Sequence, residues 1–329
     1  MTVRHLQAPT DSAKDSVVAR RDSIRTPPVR TSPAEDKKAS LRVIKSLIRL
    51  LFAHSSPHIA DISPGALQDS TQTEFERFKL HVRPLDLGRD GTSKFFVQMD
   101  SQEIVNLPLG PIPAQAKKNM DAMRNVIDHG SPLSRQQKPP LRLHVQELAY
   151  YFGHTTDLPR MGPKEQVDKL AFFTGWKLLN SYSPRYNRES LSRLEAKCTD
   201  GWICRDTRFP HFKAAMWTGV DAIDQQPLRA EVVTILGIMA ERHEAEELHA
   251  HTIIPVMLIS FVGPGHARIL LAHFDQGKLQ IEMSSLLPIY TDDNTNMDTL
   301  IRWWAAKANP GVPTTKPLLH GVENLPPAP

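Results

Sequence analysis

The chain has 329 residues, 40 Lys and Arg against 36 Asp and Glu, a formal net charge of +4 and an apolar content of 40%. These values exclude a wholly disordered or collagen-like chain, and two cysteines are too few for a disulfide scaffold. No apolar run approaches the roughly 20 residues that span a bilayer, and residues 1–30 lack a signal-peptide core. We therefore expect a soluble, intracellular α+β protein without a transmembrane segment.

The positive charge is concentrated at the N-terminus. Residues 1–54 contain eleven Lys and Arg and five Asp and Glu, whereas residues 55–329 carry a net charge of −2. The net charge of the later segment gives no strong nucleic-acid signal. A net charge does not describe how charges are distributed, so local patches stay open.

Residues 1–40 are rich in Ser, Thr, Pro and Arg and contain no aromatic residue. Such a segment cannot bury enough apolar area to offset its chain entropy, which predicts a disordered basic tail. Ser23 follows an Arg-Arg-Asp string that basophilic kinases favour, and Thr26 and Ser32 each precede a proline. These three residues are candidate phosphorylation sites, where a phosphate would remove roughly 1.5 to 2 units of positive charge. The alternative is a tail that only solubilises the chain.

Residues 41–54 predict a short amphipathic helix. Arg42, Lys45 and Arg49 recur at helical spacing, and five Leu and Ile residues occupy the opposite side. Such a helix either packs on its own domain, which is the commoner case, or docks on an anionic membrane or in a partner's groove.

The strongest fold signal lies in the C-terminal half. Residues 228–248 predict a long helix, and the segments 253–262, 267–274 and 279–283 predict three strands joined by glycine-containing turns. We interpret them as a three-stranded antiparallel meander packed on helices, an α+β fold. Alternating apolar residues over 78–97 additionally predict a β-hairpin.

The domain organisation follows from composition. The pattern predicts a single α+β domain over residues 55–308, with an internal break near the proline-rich stretch 132–140. Residues 309–329 contain six prolines and predict a loose tail.

The sharpest chemical motif is a histidine-rich string at the end of the long helix. His243 and Glu244 begin a string that resembles the zinc-protease motif His-Glu-x-x-His, with Glu247 in place of the second histidine. On a helix, His243 and Glu247 share a face and could bind a divalent metal, with His249 and His251 completing the site and Glu244 as the base. The alternative is a solvated helix end that binds no metal. No other cofactor is predicted.

Two weaker patterns precede this string. Glu195 and Lys197 match the second half of a nuclease Asp…Glu-x-Lys pattern, but they lie in a helix-like stretch where that chemistry needs a strand. Cys198 and Cys204, even with His211, supply only three metal ligands and are interpreted as buried thiols. The common phosphate-loop, dinucleotide-binding and nucleophile-elbow motifs are absent from the sequence.

Two segments resemble a known group of sequences. WTGVDAIDQQPLR at 217–229 and PVMLISFVGPGHAR at 255–268 are similar to a segment of uncharacterised proteins of filamentous fungi, over about residues 210–290. The resemblance implies an intracellular protein of unassigned activity, of a kind sometimes encoded in secondary-metabolite gene clusters. It implies no catalytic residues.

Three functional hypotheses follow. The first is a non-catalytic intracellular interaction protein of fungal type, cytoplasmic or nuclear, with a protein partner bound through residues 1–54. The second is an accessory protein or enzyme of a secondary-metabolite biosynthetic gene cluster. The third is a metal-dependent hydrolase that uses the histidine-rich string.

Overall fold

The structure is a computed structural model of the chain. It describes residues 33–52, 79–88, 93–129, 141–180, 182–186, 188–263, 265–275, 277–289 and 295–315. The three candidate phosphorylation sites, the predicted break near 132–140 and most of the predicted C-terminal tail lie outside these residues.

Helices and strands alternate irregularly along the chain. The described helices are α1 (Pro33–Phe52), α2 (Ser101–Val105), α3 (Ala114–His129), α4 (Leu141–Asp157), α5 (Leu170–Phe173), α6 (Arg188–Arg193), α7 (Arg229–Glu244) and α8 (Thr295–Trp304). The described strands are β1 (Leu80–Pro84), β2 (Phe96–Val97), β3 (Pro159–Met161), β4 (Val167–Lys169), β5 (Trp176–Asn180), β6 (Ala196–Cys204), β7 (Phe212–Thr218), β8 (Val256–Val262), β9 (His266–Asp275), β10 (Lys278–Met283), β11 (Leu287–Pro288) and β12 (Lys307–Ala308).

The centre of the fold is a mixed eight-stranded sheet, so the prediction of a three-stranded meander is wrong. Seven strands follow the order β1-β10-β9-β8-β7-β6-β5. The short strand β11 pairs with the first two residues of β9. The pairs β1/β10 and β7/β8 are parallel, and the other neighbours are antiparallel. The predicted meander corresponds to β8, β9 and β10, which are flanked on both sides by strands that the sequence pattern did not assign to the sheet.

The predicted hairpin over 78–97 is also absent from this architecture. β1 pairs in parallel with β10, where Leu80 lies opposite Leu279. β2 instead pairs with β12, where Phe96 lies opposite Ala308. Both partners lie far away in sequence, so the local turn pattern between residues 78 and 97 does not reveal them.

Burial explains why the central elements form. All seven residues of β8 are buried, as expected for a strand covered on both faces. β10 alternates between buried and more exposed residues and therefore has one wetter face. α7 connects the parallel strands β7 and β8, which cannot be joined by a tight turn.

Helices cover both faces of the sheet. α1 and α7 pack on one face, and α4, α5 and α8 pack on the other. The apolar side of α1 is buried in the first layer, with Ile44 and Leu51 fully covered and Leu47 2% exposed. α1 begins at Pro33, so residues 33–40, which the sequence placed in the tail, are helical.

A buried ion pair fixes the start of α7 against the sheet. Arg268 of β9 donates from Nε and Nη2 to the Glu231 carboxylate at 2.8 and 2.6 Å, and both side chains are fully buried. Glu231 also accepts a hydrogen bond from the Leu228 backbone N–H, and Arg268 donates from Nη1 to the Ile223 carbonyl. The pair thus connects β9, α7 and the loop before α7.

Within the described part of the chain, no helix is both long enough and apolar enough to cross a lipid bilayer.

Candidate functional site

A groove of about 440 Å³ lies where α3 passes α4. It is lined by Ile112, Lys117, Met120, Asp121, Arg124 and Tyr151. Four of these residues belong to one face of α3, because positions separated by three, four and seven residues lie together on a helix. The volume is within the range of sites that hold small molecules or side chains of a partner.

An apolar patch continues from this groove. We define it as Leu109, Ile112, Met161 and Val167, whose exposed fractions are 44%, 37%, 38% and 52%. It contains four of the seven large apolar side chains that are exposed in the described residues. Ile112 belongs to both features and so joins the patch to the groove. Clustered exposed apolar side chains are characteristic of interaction surfaces.

The backbone under the apolar patch is held by hydrogen bonds. The Gly110 N–H donates to the Pro159 carbonyl, and the Met161 N–H donates to the Pro108 carbonyl, both at 2.8 Å. A Cβ atom on Gly110 would lie 3.5 Å from Met161 Cγ and 3.7 Å from Val167 Cγ1. The loop and the β3–β4 hairpin are therefore in contact around Gly110, and the patch is built from both segments.

The groove has mixed polarity. Lys117 and Arg124 supply two positive charges and Asp121 one negative charge, while Met120 and Tyr151 supply half-buried apolar surface. Methionine adapts its shape to different partners. The arrangement suits a ligand that carries both apolar groups and carboxylates, and it contains no group of acids, bases and nucleophiles arranged for a reaction.

The Lys213 side chain is fully buried beside the end of α8. Its Nζ donates to the Trp304 and Ala306 carbonyls at 2.6 and 2.5 Å and lies 3.9 Å from the centre of the Trp176 ring. Burial lowers its pKa well below the usual range. Trp304 is the last residue of α8 and Ala306 follows it closely, so Lys213 holds the chain at the C-terminal end of that helix. We assign it a structural role.

His211 lies beside Lys213 and is also fully buried. Its Nε2 is 3.0 Å from the Phe95 carbonyl. Burial lowers the pKa of this imidazole to about 3, so it is neutral at pH 7 and donates this hydrogen bond. No metal is required to explain its position.

The structure separates the first half of the predicted metal-binding string. His243 faces the protein interior, is 2% exposed, and neither of its ring nitrogens has a hydrogen-bond partner among the described residues. Burial lowers its pKa to about 4. Glu247 instead lies at the surface, where its Oε1 is 3.4 Å from Nη1 of Arg242.

The second half of the string makes other contacts. His249 is exposed, with Nδ1 3.1 Å from the Glu246 carbonyl. His251 lies between the Thr314 hydroxyl, 2.6 Å from its Nδ1, and the Thr207 carbonyl, 3.3 Å from its Nε2. Across the described ranges, no three His, Cys, Asp or Glu side chains come together as metal ligands would. Metal binding by this string therefore stays a prediction without a formed site to support it.

The nuclease-like pair lies where β6 packs against α4. A bulge between Cys198 and Asp200 turns Asp200 to the same side as Lys197. The Lys197 Nζ is 3.4 Å from the Tyr150 hydroxyl. A Cβ atom on Gly153 would lie 2.7 Å from Asp200 Oδ2, so the Asp200 carboxylate packs closely against α4.

This arrangement differs from the nuclease pattern in the position and number of its acidic residues. Lys197 lies on a strand, as that chemistry needs, but Glu195 precedes β6 in a left-handed conformation with φ of 50°. Burial, followed by the charge of Asp157, raises the pKa of Asp200. Asp157 itself pairs with Lys169 at 2.9 Å. Among the described residues no three acidic or histidine side chains come together here, as a metal for phosphoryl transfer would require.

The cysteines are free thiols. Burial raises the pKa of Cys198 to about 12, so it carries no thiolate at pH 7. The half-buried Cys204 contacts the Gly175 carbonyl at 3.8 Å from its Sγ, and burial raises its pKa as well. Neither cysteine is activated as a nucleophile.

Sequence reasoning did not single out the α3–α4 groove or the apolar patch. Most of the α3 side chains that the structure describes are exposed, and the residues that line the groove form no recognisable motif. The patch combines residues near 110 with residues near 165, and no local pattern indicates that these two segments meet. The only available signal is the apolar character of Ile112, Met161 and Val167 in segments rich in turn residues.

Comparison with known proteins adds no assignment. No protein-family model matches the chain, and neither a curated protein nor a solved structure matches it.

Proposed function

We propose that this chain is a non-catalytic binding protein whose partner occupies the α3–α4 groove and covers the apolar patch. The observation that carries the proposal is the continuity of the two features through Ile112, which combines a cavity with clustered exposed apolar side chains. Proteins that act alone rarely leave such surface in water.

The chemistry of the surface indicates the partner. Leu109, Met161 and Val167 suit an apolar stripe, while Lys117 and Arg124 suit carboxylates beside it. An amphipathic acidic helix presents both groups at a spacing of three to four residues. We therefore propose a protein segment of this kind as the occupant.

A pair of synthetic peptides tests this proposal. Both are helices of about 15 residues, roughly four turns, with the same leucine face and either Glu or Lys on the polar face. We expect the acidic peptide to bind the full chain more tightly, as measured by fluorescence anisotropy. The double variant Met161→Ser and Val167→Ser should weaken binding about thirtyfold, since each buried apolar side chain contributes roughly 1 kcal/mol here. Lys117→Glu should reduce the preference for the acidic peptide.

Ile223→Ser is the matched control. Ile223 is 48% exposed, similar to the patch residues, but it lies in the loop before α7. Its replacement should leave peptide binding unchanged. Equal binding of both peptides, or an equal loss in the Ile223 variant, would contradict the proposal.

The more specific predictions from the sequence concern the partner-binding segment, the location and the origin of the protein. A binding protein agrees with the interaction hypothesis, and the buried apolar side of α1 is not available to a partner bound through residues 1–54. A cytoplasmic or nuclear location, the fungal resemblance and a place in secondary metabolism stay predictions. No described feature favours the metal-dependent hydrolase as a second candidate.

A further inference from the structure

The outer face of α1 carries a row of positive charge. Lys38, Arg42 and Arg49 are exposed and lie at helical positions four and seven residues apart, so they share one side of the helix. They extend over about 16 Å at 1.5 Å per residue. We call these three residues the basic ridge.

No ion pair among the described residues neutralises the basic ridge. Within the described residues, none of its three side chains has an ion pair or a hydrogen bond. Lys45, which lies between Arg42 and Arg49, behaves differently because its Nζ pairs with Glu244 at 2.8 Å. The ridge charges are therefore available to a negatively charged partner.

The opposite, apolar side of α1 indicates which kind of negatively charged partner can bind. Ile44, Leu47 and Leu51 are packed in the core against α7. An amphipathic helix binds a membrane by inserting its apolar side, and this side is occupied. The exposed side of α1 therefore offers a row of positive charges, which suits an extended polyanion.

We propose that the basic ridge binds the phosphate backbone of duplex nucleic acid without sequence preference. The exposed positions of α1 carry no aromatic side chain on which unpaired bases could stack, which favours a duplex over a single strand. This surface is separate in sequence and structure from the α3–α4 groove, and the inference does not depend on the proposed function.

Salt-dependent binding of a DNA duplex tests the inference. The probe is a fluorescent 20-bp duplex of mixed sequence, titrated with the full chain at several KCl concentrations. The triple variant Lys38→Gln, Arg42→Gln and Arg49→Gln should bind at least tenfold more weakly at about 50 mM salt. Its plot of log affinity against log salt should be less steep by about 2 to 3, because each lost phosphate contact removes about 0.9 from the slope.

A second triple variant provides the control. Lys118→Gln, Lys177→Gln and Lys278→Gln remove the same charge from exposed positions elsewhere. This variant should retain most of the affinity and the wild-type slope. An equal loss in both variants would show that net charge alone causes binding, and unchanged binding in the ridge variant would place any affinity elsewhere. Binding of the wild type to anionic vesicles but not to the duplex would also overturn the inference.

Discussion

Arg268 and Glu231 form a charged pair from which water is excluded, and its value depends on both partners being present. The two side chains are fully buried and satisfy each other as well as two backbone groups. Removing one charge leaves the other desolvated and unpaired, which costs much more than losing an exposed pair. The sequence does not reveal this pair, since its members lie on different elements and each looks like an ordinary surface charge.

Glu231→Gln should therefore lower the free energy of unfolding by about 3 to 5 kcal/mol. Chemical denaturation followed by tryptophan fluorescence measures this change. The matched control is Lys307→Gln, which breaks the exposed pair with Glu103 and should cost less than about 1 kcal/mol. Similar losses in the two variants would show that the buried pair is compensated by other contacts.

At the scale of elements, periodicity identifies helices and central strands but not their partners. The apolar run of β8 and the alternation in β10 are visible in the sequence, because burial on two faces or one face leaves a direct pattern. The pairing of β1 with β10 is not visible, since an apolar strand carries no mark of its neighbour. For the same reason the sequence does not reveal the apolar patch, which forms where the loop around Gly110 meets the β3–β4 hairpin.

α1 provides a test of element packing. Leu47 is 2% exposed in the layer between α1 and α7. Leu47→Ala should lower the free energy of unfolding by about 2 to 5 kcal/mol, because it removes buried surface and leaves a cavity. Arg42→Ala on the outer face of the same helix should change it by no more than about 0.5 kcal/mol. Thermal and chemical unfolding of both variants measure the difference, and an unchanged Leu47 variant would mean that α1 does not contribute to the fold.

Across the protein, buried histidines make stability depend on pH, and three of them have the most strongly lowered pKa values. Burial lowers the pKa of His211 and His273 to about 3 and that of His243 to about 4. Nearby cations act in the same direction, such as Lys37 for His243 and Lys94 for His273. The unfolded chain takes up protons on these imidazoles near pH 6.5, whereas the folded chain does not.

The folded state should therefore lose stability as the pH falls from about 6.5 towards 4, because the unfolded state binds more protons in this window. Urea unfolding at a series of pH values measures the effect. His243→Leu should make the dependence shallower by removing one of the three groups, and it also removes two buried nitrogens that lack partners. His249→Leu, at an exposed position, is the control. A stability that is constant between pH 7 and 4.5 would contradict this account.

The contact of Lys213 with the end of α8 has a consequence for how the protein is made. Lys213 lies in the central strand β7, but the carbonyls that accept its hydrogen bonds belong to residues 304 and 306. During synthesis, Lys213 is added to the chain about 90 residues before those carbonyls exist. Until then its Nζ lacks these two acceptors, and burying the side chain without them would be costly. Domains rich in long-range contacts fold slowly, and the layer around Lys213 cannot complete these hydrogen bonds before Ala306 has been made. We therefore expect this layer to pack late, after α8 has been synthesised.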